Sequence, residues 1–309
     1  MKKSIKELFG IGPDNIKVDV ADERHPLVPK PNGYRHRLEL LSPILGWLTD
    51  SDRDYSLWLP GPTGSGKTSL MTDIAAQMNW PILSVTASGS MTARELIGHF
   101  TVIDGNMLFQ HGPLALAMKQ GFMFILNEAD LMPEDELAKL NDIAEGRPLL
   151  IEENGGEIIV PHERFRFVVT ANTNGRGDET GHYLGARSMN LAFMHRFQVV
   201  PVGYMDSSDE LEILKTKHPY LPEEVVEGMV KVAEEVRKRF QSDGDDNVGN
   251  TISTRIMDRW ARLTVRYHAK AQQGVSPVRY ALDLALLNGA TESDKQAIHQ
   301  VVDLIFGQE

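Results

Sequence analysis

The sequence has no cysteine among its 309 residues, and this absence excludes several kinds of chemistry. Without thiols the chain can form neither disulfide bonds nor thiolate metal sites, and it has no cysteine nucleophile. Its ten histidines show no spacing typical of a zinc site, so no zinc centre is expected either. A chain without cysteine fits a reducing compartment, and we therefore expect a cytoplasmic location.

The sequence also has fewer positive than negative charges, and it has no long apolar run. The chain carries 32 Lys and Arg against 43 Asp and Glu, a formal net charge of −11. Nonspecific binding to nucleic acid depends on attraction to phosphates, so nucleic acid is not an expected partner. No apolar run approaches the roughly 20 residues that span a bilayer. The charged opening Met1–Phe9 is too short for a signal peptide, so the sequence predicts no membrane association.

What the sequence does contain is a glycine-rich loop, Gly61–Thr68, which follows the pattern G-x-x-x-x-G-K-T. An apolar run, Tyr55–Leu59, precedes the loop as a short buried strand would, and the helix-forming stretch Ser69–Met78 follows it. A strand, a glycine loop and a helix in this order distinguish a phosphate-binding loop from a chance glycine turn. The residues expected to bind the nucleotide are Gly61, Pro62, Thr63, Gly64, Ser65, Gly66, Lys67, Thr68 and Ser69.

The chemistry of this loop follows from its residue types. Glycines let backbone N–H groups turn towards one anion, and the positive end of the following helix dipole adds to the attraction. Lys67 is expected to reach the β- and γ-phosphates, and the Thr68 hydroxyl to bind Mg²⁺. The sequence thus predicts a nucleoside triphosphate site with ATP and Mg²⁺ as cofactors.

The order of apolar and helical segments predicts an α/β fold with a parallel five-stranded sheet. Residues 1–54 are expected to pack on the core as an N-terminal segment, residues 55–203 to form the nucleotide-binding core, and residues 204–309 a helical lid domain. Two predicted hairpins, at 101–109 and 149–160, are either surface decorations or partner contacts. The expected strands are Tyr55–Leu59, Ile82–Val85, Phe122–Leu126, Phe165–Thr170 and Phe197–Pro201.

Helical spacing of apolar residues is found before the glycine loop and again throughout the last hundred residues. Strand signals vanish from about residue 204 onward, which favours a helical second domain. The expected helices in these two regions are Arg37–Leu48, Asp209–Lys217, Pro222–Phe240, Thr254–Ala271, Ser276–Leu287 and Ser293–Phe306.

Polar residues follow the third and fourth expected strands, at the edge where parallel strands end. Glu128 is the candidate for orienting the attacking water or acting as general base, and Asn127 beside it is a candidate Mg²⁺ ligand. Asn172 is the candidate sensor of the γ-phosphate or the water. For Glu128 the alternative is an acid that only stabilises a helix N-terminus, and for Asn172 it is a turn-forming residue.

Two arginines complete the candidate catalytic residues. Arg196, just before the fifth expected strand, could reach the nucleotide of a neighbouring subunit and stabilise transition-state charge in trans. Arg255 opens a helix of the expected lid domain and could touch the phosphates from there. A solvated arginine is the alternative for Arg255.

Taken together, these stretches resemble AAA+ ATPases of the MoxR-like branch, and within it the ATPase subunits of aerobic cobaltochelatases. The resemblance runs nearly from end to end, and the glycine-rich loop is its least specific part. The residues that carry it are Glu7–Ile11, Gly61–Thr68, Met78–Pro81, Glu128–Asp130, Thr170–Thr173, Gly177–Gly181, Arg196 and Ser253–Arg255.

The resemblance implies a homo-oligomeric ring, usually a hexamer, with ATP at the subunit interfaces. It also implies an insert in the second helix of the core and a hairpin before the first sensor. The partners implied are a protein with a von Willebrand A-type domain and a large chelatase subunit that inserts cobalt into a corrin precursor. This family usually has aspartate where the chain has Asn127, so we expect weaker Mg²⁺ binding or slower turnover.

Two functions are open on this evidence. The first is an ATP-driven motor or chaperone, of which cobalt chelation is the best-defined version. The second is an ATP-binding assembly scaffold that hydrolyses ATP poorly, which the neutral side chain of Asn127 favours. A helicase or other nucleic-acid motor is disfavoured by the acidic balance and by the lack of a strand platform rich in aromatic and basic residues.

Overall fold

The computed structural model describes the chain apart from residue 23, residues 178–182, residue 184, residues 243–246 and residues 308–309. The chain forms two compact units. The first comprises residues 1–62 with 66–202, and the second residues 63–65 with 203–309. The Gly177–Gly181 stretch, which carries part of the resemblance, lies outside the described residues apart from Gly177.

The first unit contains all the strands that the structure describes. In chain order they are β1 Lys2–Ser4, β2 Lys17–Asp19, β3 Ser56–Pro60, β4 Ile82–Thr86, β5 Gly98–Ile103, β6 Asn106–His111, β7 Met123–Asn127, β8 Leu149–Ile151, β9 Glu157–Ile159, β10 Arg166–Ala171 and β11 Phe197–Val199. Five of them form a parallel sheet in the order β11–β3–β10–β7–β4. The predicted five-stranded parallel sheet is therefore confirmed.

The central sheet is covered on both faces, which explains why its strands have continuously apolar sequences. Every residue of β3 and β10 is buried. On β7, Phe124 and Leu126 belong to one hydrophobic cluster, whereas Met123 and Ile125 belong to a second. Neighbouring side chains of a strand point to opposite faces, so the two clusters lie on the two sides of the sheet.

Helices cover the two faces of the sheet. The helices of the first unit are α1 Ile5–Phe9, α2 Leu38–Thr49, α3 Lys67–Gln77, α4 Ala93–Ile97, α5 Pro113–Gln120, α6 Glu134–Ala138, α7 Asn141–Ala144 and α8 Leu191–Met194. Buried residues of α2 and α3 join the cluster of Met123, and those of α5 join the cluster of Phe124. The phosphate-loop helix α3 is thereby anchored against the sheet along its length.

Both predicted hairpins are present as antiparallel pairs. Strands β5 and β6 are joined at Asp104 and Gly105, which both have positive φ angles, as a tight two-residue hairpin turn requires. Strands β8 and β9 form the second pair. The first hairpin exposes apolar side chains, including Val102 and Met107, which are 68% and 70% exposed.

The sequence did not predict the small ribbon near the start of the chain. Strands β1 and β2 pair in antiparallel fashion on either side of α1 in sequence. Each has only three residues, which is too short for the alternation of apolar and polar residues to be recognised. Val18, Ile5 and Phe9 are buried and join the cluster of α2 and α3, so this ribbon packs on the core.

All the regular elements that the structure describes in the second unit are helical. Its helices are α9 Ser207–Lys217, α10 Glu223–Phe240, α11 Thr254–Arg266, α12 Pro277–Ala285 and α13 Glu292–Phe306. The prediction of one helix over Thr254–Ala271 was wrong in extent, because α11 ends at Arg266 and a 3₁₀ segment, His268–Gln273, leads to a left-handed Gly274. No helix in the described part of the chain is both long and apolar enough to cross a bilayer.

Candidate nucleotide site

The glycine-rich loop joins the end of β3 to the start of α3, as its sequence context predicts. Gly64 and Gly66 have φ angles of 72° and 93°, a left-handed conformation that glycine adopts without a Cβ penalty. Helix α3 begins at Lys67 with Gly66 as its N-cap, and no side chain caps its first N–H groups. Because these groups have no capping side chain, they can donate to an anion at the helix N-terminus.

Lys67 is buried, and its ammonium is held by oxygen atoms on two sides. Nζ donates to the carbonyl oxygens of Gly61 and Pro62, at 2.6 and 3.0 Å, and to Oδ1 of Asn172 at 3.0 Å. Burial lowers the pKa of Lys67 to about 8, and the charges of Asp130 and Glu128 oppose that change. The loop lysine and the sensor candidate are therefore in direct contact.

The lowered pKa predicts that nucleotide affinity falls as the pH rises through about 8. Lys67 attracts phosphates only in its protonated, charged form. Raising the pH from 7 to 9 is therefore expected to weaken ATP binding about tenfold. Titration calorimetry at the two pH values measures this change. Lys67→Arg is the control. Arginine stays charged at both pH values, so the ATP affinity of this variant should not vary with pH. Equal wild-type affinity at both values would contradict the prediction.

The two candidate Mg²⁺ ligands lie side by side. The Thr68 hydroxyl donates to Oδ1 of Asn127 at 2.7 Å. The amide nitrogen of Asn127 donates to the Ser84 hydroxyl at 2.8 Å, which orients the amide so that its oxygen points to Thr68. A hydroxyl and an amide oxygen suit a Mg²⁺ ion that takes its other ligands from phosphates and water, although neither carries a negative charge.

Glu128 occupies an unusual backbone conformation directly after β7. Its φ angle is +53°, which is unfavourable for a residue with a Cβ, and its N–H donates to the Thr170 hydroxyl at 3.3 Å. Its side chain is exposed. Such an outlier persists only where the surrounding structure enforces it, and it occurs often at functional sites.

The structure brings most of the predicted site residues together. Two hydrogen-bonded pairs, Lys67 with Asn172 and Thr68 with Asn127, lie at the carboxyl ends of β3, β7 and β10. The sequence reasoning missed Thr170 and Ser84, whose hydroxyls bond the amide of Asn127. Both lie within apolar strands, where a small hydroxyl residue gives no signal of its own.

The two candidate arginines have other surroundings. Arg196 lies between α8 and β11; its Nε is 3.0 Å from Oε1 of Glu145, and another guanidinium nitrogen donates to the Ala192 carbonyl. Its side chain is 23% exposed. Arg255 belongs to the helical unit, where it lies exposed in the first turn of α11, after the capping residue Ser253.

Helix α11 begins at a buried ion pair of the helical unit. Arg237 makes two hydrogen bonds, of 2.7 and 2.9 Å, to the carboxylate of Glu210. Arg237 also donates to the Ile252 carbonyl at 2.7 Å, and the Thr254 hydroxyl donates to Glu210. A buried bidentate pair of this kind fixes geometry, so the segment that carries Arg255 has a defined position within its unit.

Comparison with known proteins identifies the class of both units. Residues 56–197 match the AAA domain of the dynein-related subfamily, and residues 210–305 match the CbbQ/NirQ/NorQ C-terminal domain. The aerobic cobaltochelatase subunit CobS of Sinorhizobium sp is 27% identical over 318 residues, which cover 99% of this chain and 91% of CobS. The protein SH1500 of Staphylococcus haemolyticus is 25% identical and covers 81% of this chain and 90% of its own length. The chain is therefore an AAA+ ATPase of the MoxR-like branch, similar to CobS.

Proposed function

We propose that this chain is a Mg²⁺-dependent ATP motor that hydrolyses ATP at the interfaces of a homo-oligomeric ring and drives a partner complex. The observation that carries the proposal is the set of Lys67, Thr68, Asn127 and Asn172, which form two hydrogen-bonded pairs at the edge of the sheet. These residues bring a lysine, a hydroxyl and two amides together beside a helix N-terminus. Such a group is suited to bind a triphosphate and its metal ion.

Each residue of the set has a distinct role in the proposed reaction. The backbone N–H groups of the loop and the ammonium of Lys67 bind the phosphates, while Thr68 and Asn127 hold the metal ion. Mg²⁺, when bound, neutralises charge on the β- and γ-phosphates. Glu128 orients the attacking water and accepts its proton, and Asn172 positions the γ-phosphate.

Two arginines complete the site in this proposal. Arg196 reaches the nucleotide of the neighbouring subunit, where it stabilises negative charge in the transition state. Arg255 contributes from the helical lid. The boundaries that accompany this assignment are 1–54, 55–203 and 204–309, with the last segment acting as the lid.

The proposed partners follow from the similarity to CobS, which is named as a subunit of a cobaltochelatase. We expect a hexameric ring that works with a large chelatase-type subunit and with a protein carrying a von Willebrand A-type domain. In its best-defined version the motor supports cobalt insertion into a corrin precursor. The exposed apolar side chains of the β5–β6 hairpin support a role in partner contact, since large exposed apolar residues often mark interaction sites.

A second candidate function is an ATP-binding assembly scaffold with weak hydrolysis. Asn127 favours it, because an amide at this position brings no negative charge to the metal site. Calorimetry of ATP binding, with Lys67→Ala as the control, tests nucleotide binding for both functions. Steady-state phosphate release with Mg²⁺ then separates them. A wild-type rate no higher than that of Glu128→Gln would leave only the scaffold.

Replacing Asn127 by aspartate is expected to strengthen Mg²⁺ binding and to speed turnover. The added carboxylate would attract the cation and still accept the Thr68 hydroxyl. We expect the Mg²⁺ concentration for half-maximal hydrolysis to fall roughly tenfold. Hydrolysis measured across a Mg²⁺ titration gives this value, and Asn127→Ala, which removes the oxygen, should shift it upward. If Asn127→Asp changes neither the rate nor the Mg²⁺ dependence, the residue does not face the metal ion.

A further inference from the structure

Asp130 is a buried carboxylate that none of the roles above uses. It is 1% exposed and lies in the turn that follows β7. Its Oδ2 accepts three hydrogen bonds from the end of β10: from the N–H of Asn172 at 2.9 Å, the N–H of Thr173 at 3.1 Å and the Thr173 hydroxyl at 3.2 Å. Three donors converging on one oxygen hold the backbone of this strand end firmly.

The same turn is attached to β10 at a second point. The N–H of Glu128 donates to the Thr170 hydroxyl, so the backbone of Glu128 and the carboxylate of Asp130 both bind the last residues of the strand. The carbonyl oxygen of Asp130 also accepts the N–H of Arg187 at 2.8 Å. The turn therefore joins the water-orienting candidate, the sensor candidate and the segment before α8.

A chain of contacts leads from Asp130 to the phosphate loop. Oδ2 of Asp130 fixes the N–H of Asn172, and Oδ1 of Asn172 accepts the ammonium of Lys67 at 3.0 Å. Asp130 is also the charge that most opposes the lowering of the Lys67 pKa. The other carboxylate oxygen, Oδ1, is buried and has no hydrogen-bond partner among the described residues.

We infer that Asp130 is a positioning residue for ATP hydrolysis: it fixes the position of the Asn172 amide relative to Glu128. The inference rests on the proposed hydrolytic function. In this role Asp130 acts through the backbone at Asn172 and Thr173, to which its carboxylate is bonded. Removing its side chain leaves three buried donors without an acceptor and frees the strand end to shift.

The hydrogen bonds distinguish two substitutions of Asp130. In Asp130→Asn, the amide oxygen can take the place of Oδ2, and the amide nitrogen takes the place of Oδ1, which has no partner to lose. In Asp130→Ala all three acceptor contacts disappear. A positioning role therefore predicts that asparagine rescues what alanine loses.

The test measures backbone protection and turnover in the same variants. For Asp130→Ala we expect faster hydrogen exchange in the peptide 166–176 without nucleotide, and a kcat about 100-fold lower, with the KM for ATP changed by no more than about threefold. Asp130→Asn should keep the exchange protection and restore kcat to within about tenfold of the wild type. Unchanged exchange and unchanged kcat in Asp130→Ala would overturn the inference, as would equal losses for alanine and asparagine.

Two further variants guard against a simple folding defect. Thr173→Val removes only the hydroxyl contact to Asp130, whereas Thr173→Ser keeps it, so kcat should fall in the first and recover in the second. If Asp130→Ala does not fold, this pair carries the test, and equal kcat in both would overturn the inference. Leu41→Ala, in the buried face of α2, is a control that should lower the melting temperature but not kcat.

The design separates failure of the inference from failure of the proposed function. Hydrogen exchange of the strand end is measured without ATP and does not depend on hydrolysis. A wild-type protein that does not hydrolyse ATP would overturn the proposed function, and the positioning role with it. A wild type that hydrolyses ATP beside an unaffected Asp130→Ala variant would overturn only the role of Asp130.

Discussion

Glu128→Gln is expected to lower the rate of ATP hydrolysis about a thousandfold while ATP binding is retained. Glutamine has nearly the same shape as glutamate, but its neutral amide cannot accept a proton from the attacking water. In the proposed site the loop and Lys67 supply the phosphate contacts, so these contacts should survive the change. Phosphate release at saturating ATP measures the loss, and calorimetry of ATP binding shows whether affinity is kept.

A matched control is available close by in the chain. Glu134, an exposed residue of the first turn of α6, undergoes the same change in charge when it is replaced by glutamine. Glu134→Gln should hydrolyse ATP at the wild-type rate. If Glu128→Gln keeps more than half of the wild-type rate, Glu128 does not activate the water. If it loses ATP binding instead, the residue belongs to the binding machinery.

Arg196→Ala is expected to reduce hydrolysis about a thousandfold without loss of ATP binding in each subunit, because an arginine supplied in trans stabilises charge only in the transition state. Within its own chain Arg196 is paired with Glu145. A trans role requires that the guanidinium exchange this carboxylate for the phosphates of a neighbouring subunit. Phosphate release and nucleotide binding of the purified variant measure both effects.

Mixing two inactive variants tests whether the site is shared. A ring that combines Arg196→Ala with Lys67→Ala contains some interfaces with an intact lysine on one side and an intact arginine on the other. The mixture should therefore recover part of the wild-type rate. Arg147→Ala is the control, since Arg147 also contacts Glu145 but is 64% exposed. A mixture as inactive as its components, although both assemble, would contradict the shared site.

Much of the fold could be predicted because local patterns and global topology agree in it. Continuous apolar runs such as Phe122–Leu126 mark strands buried on both faces, and the Asp104–Gly105 turn marks a hairpin. The end of α11 could not be predicted, because the helical spacing continues past Arg266 into the 3₁₀ segment. Short strands such as β1 offer too few residues for any periodicity.

Candidate site residues could be named from the sequence where they directly follow a strand, but not where the burial of a side chain decides its role. Asn127, Glu128 and Asn172 could be identified because parallel strands end at the same edge of a sheet. Asp130 has the same sequence signal as an acid at a helix N-terminus. Only the structure shows that it is buried and bonded to the end of β10. A one-dimensional pattern cannot report how much solvent reaches a carboxylate.

The oxygen atoms around Lys67 have a consequence for nucleotide exchange. The ammonium already makes hydrogen bonds to the carbonyl oxygens of Gly61 and Pro62 and to Asn172. A phosphate that engages Lys67 must displace some of these oxygens, so its net gain in free energy is smaller than the strength of the new contact. On departure of the product the same oxygens are ready to receive the ammonium again. In the proposed reaction, this exchange of one set of acceptors for another would favour ready release of ADP and the start of the next cycle.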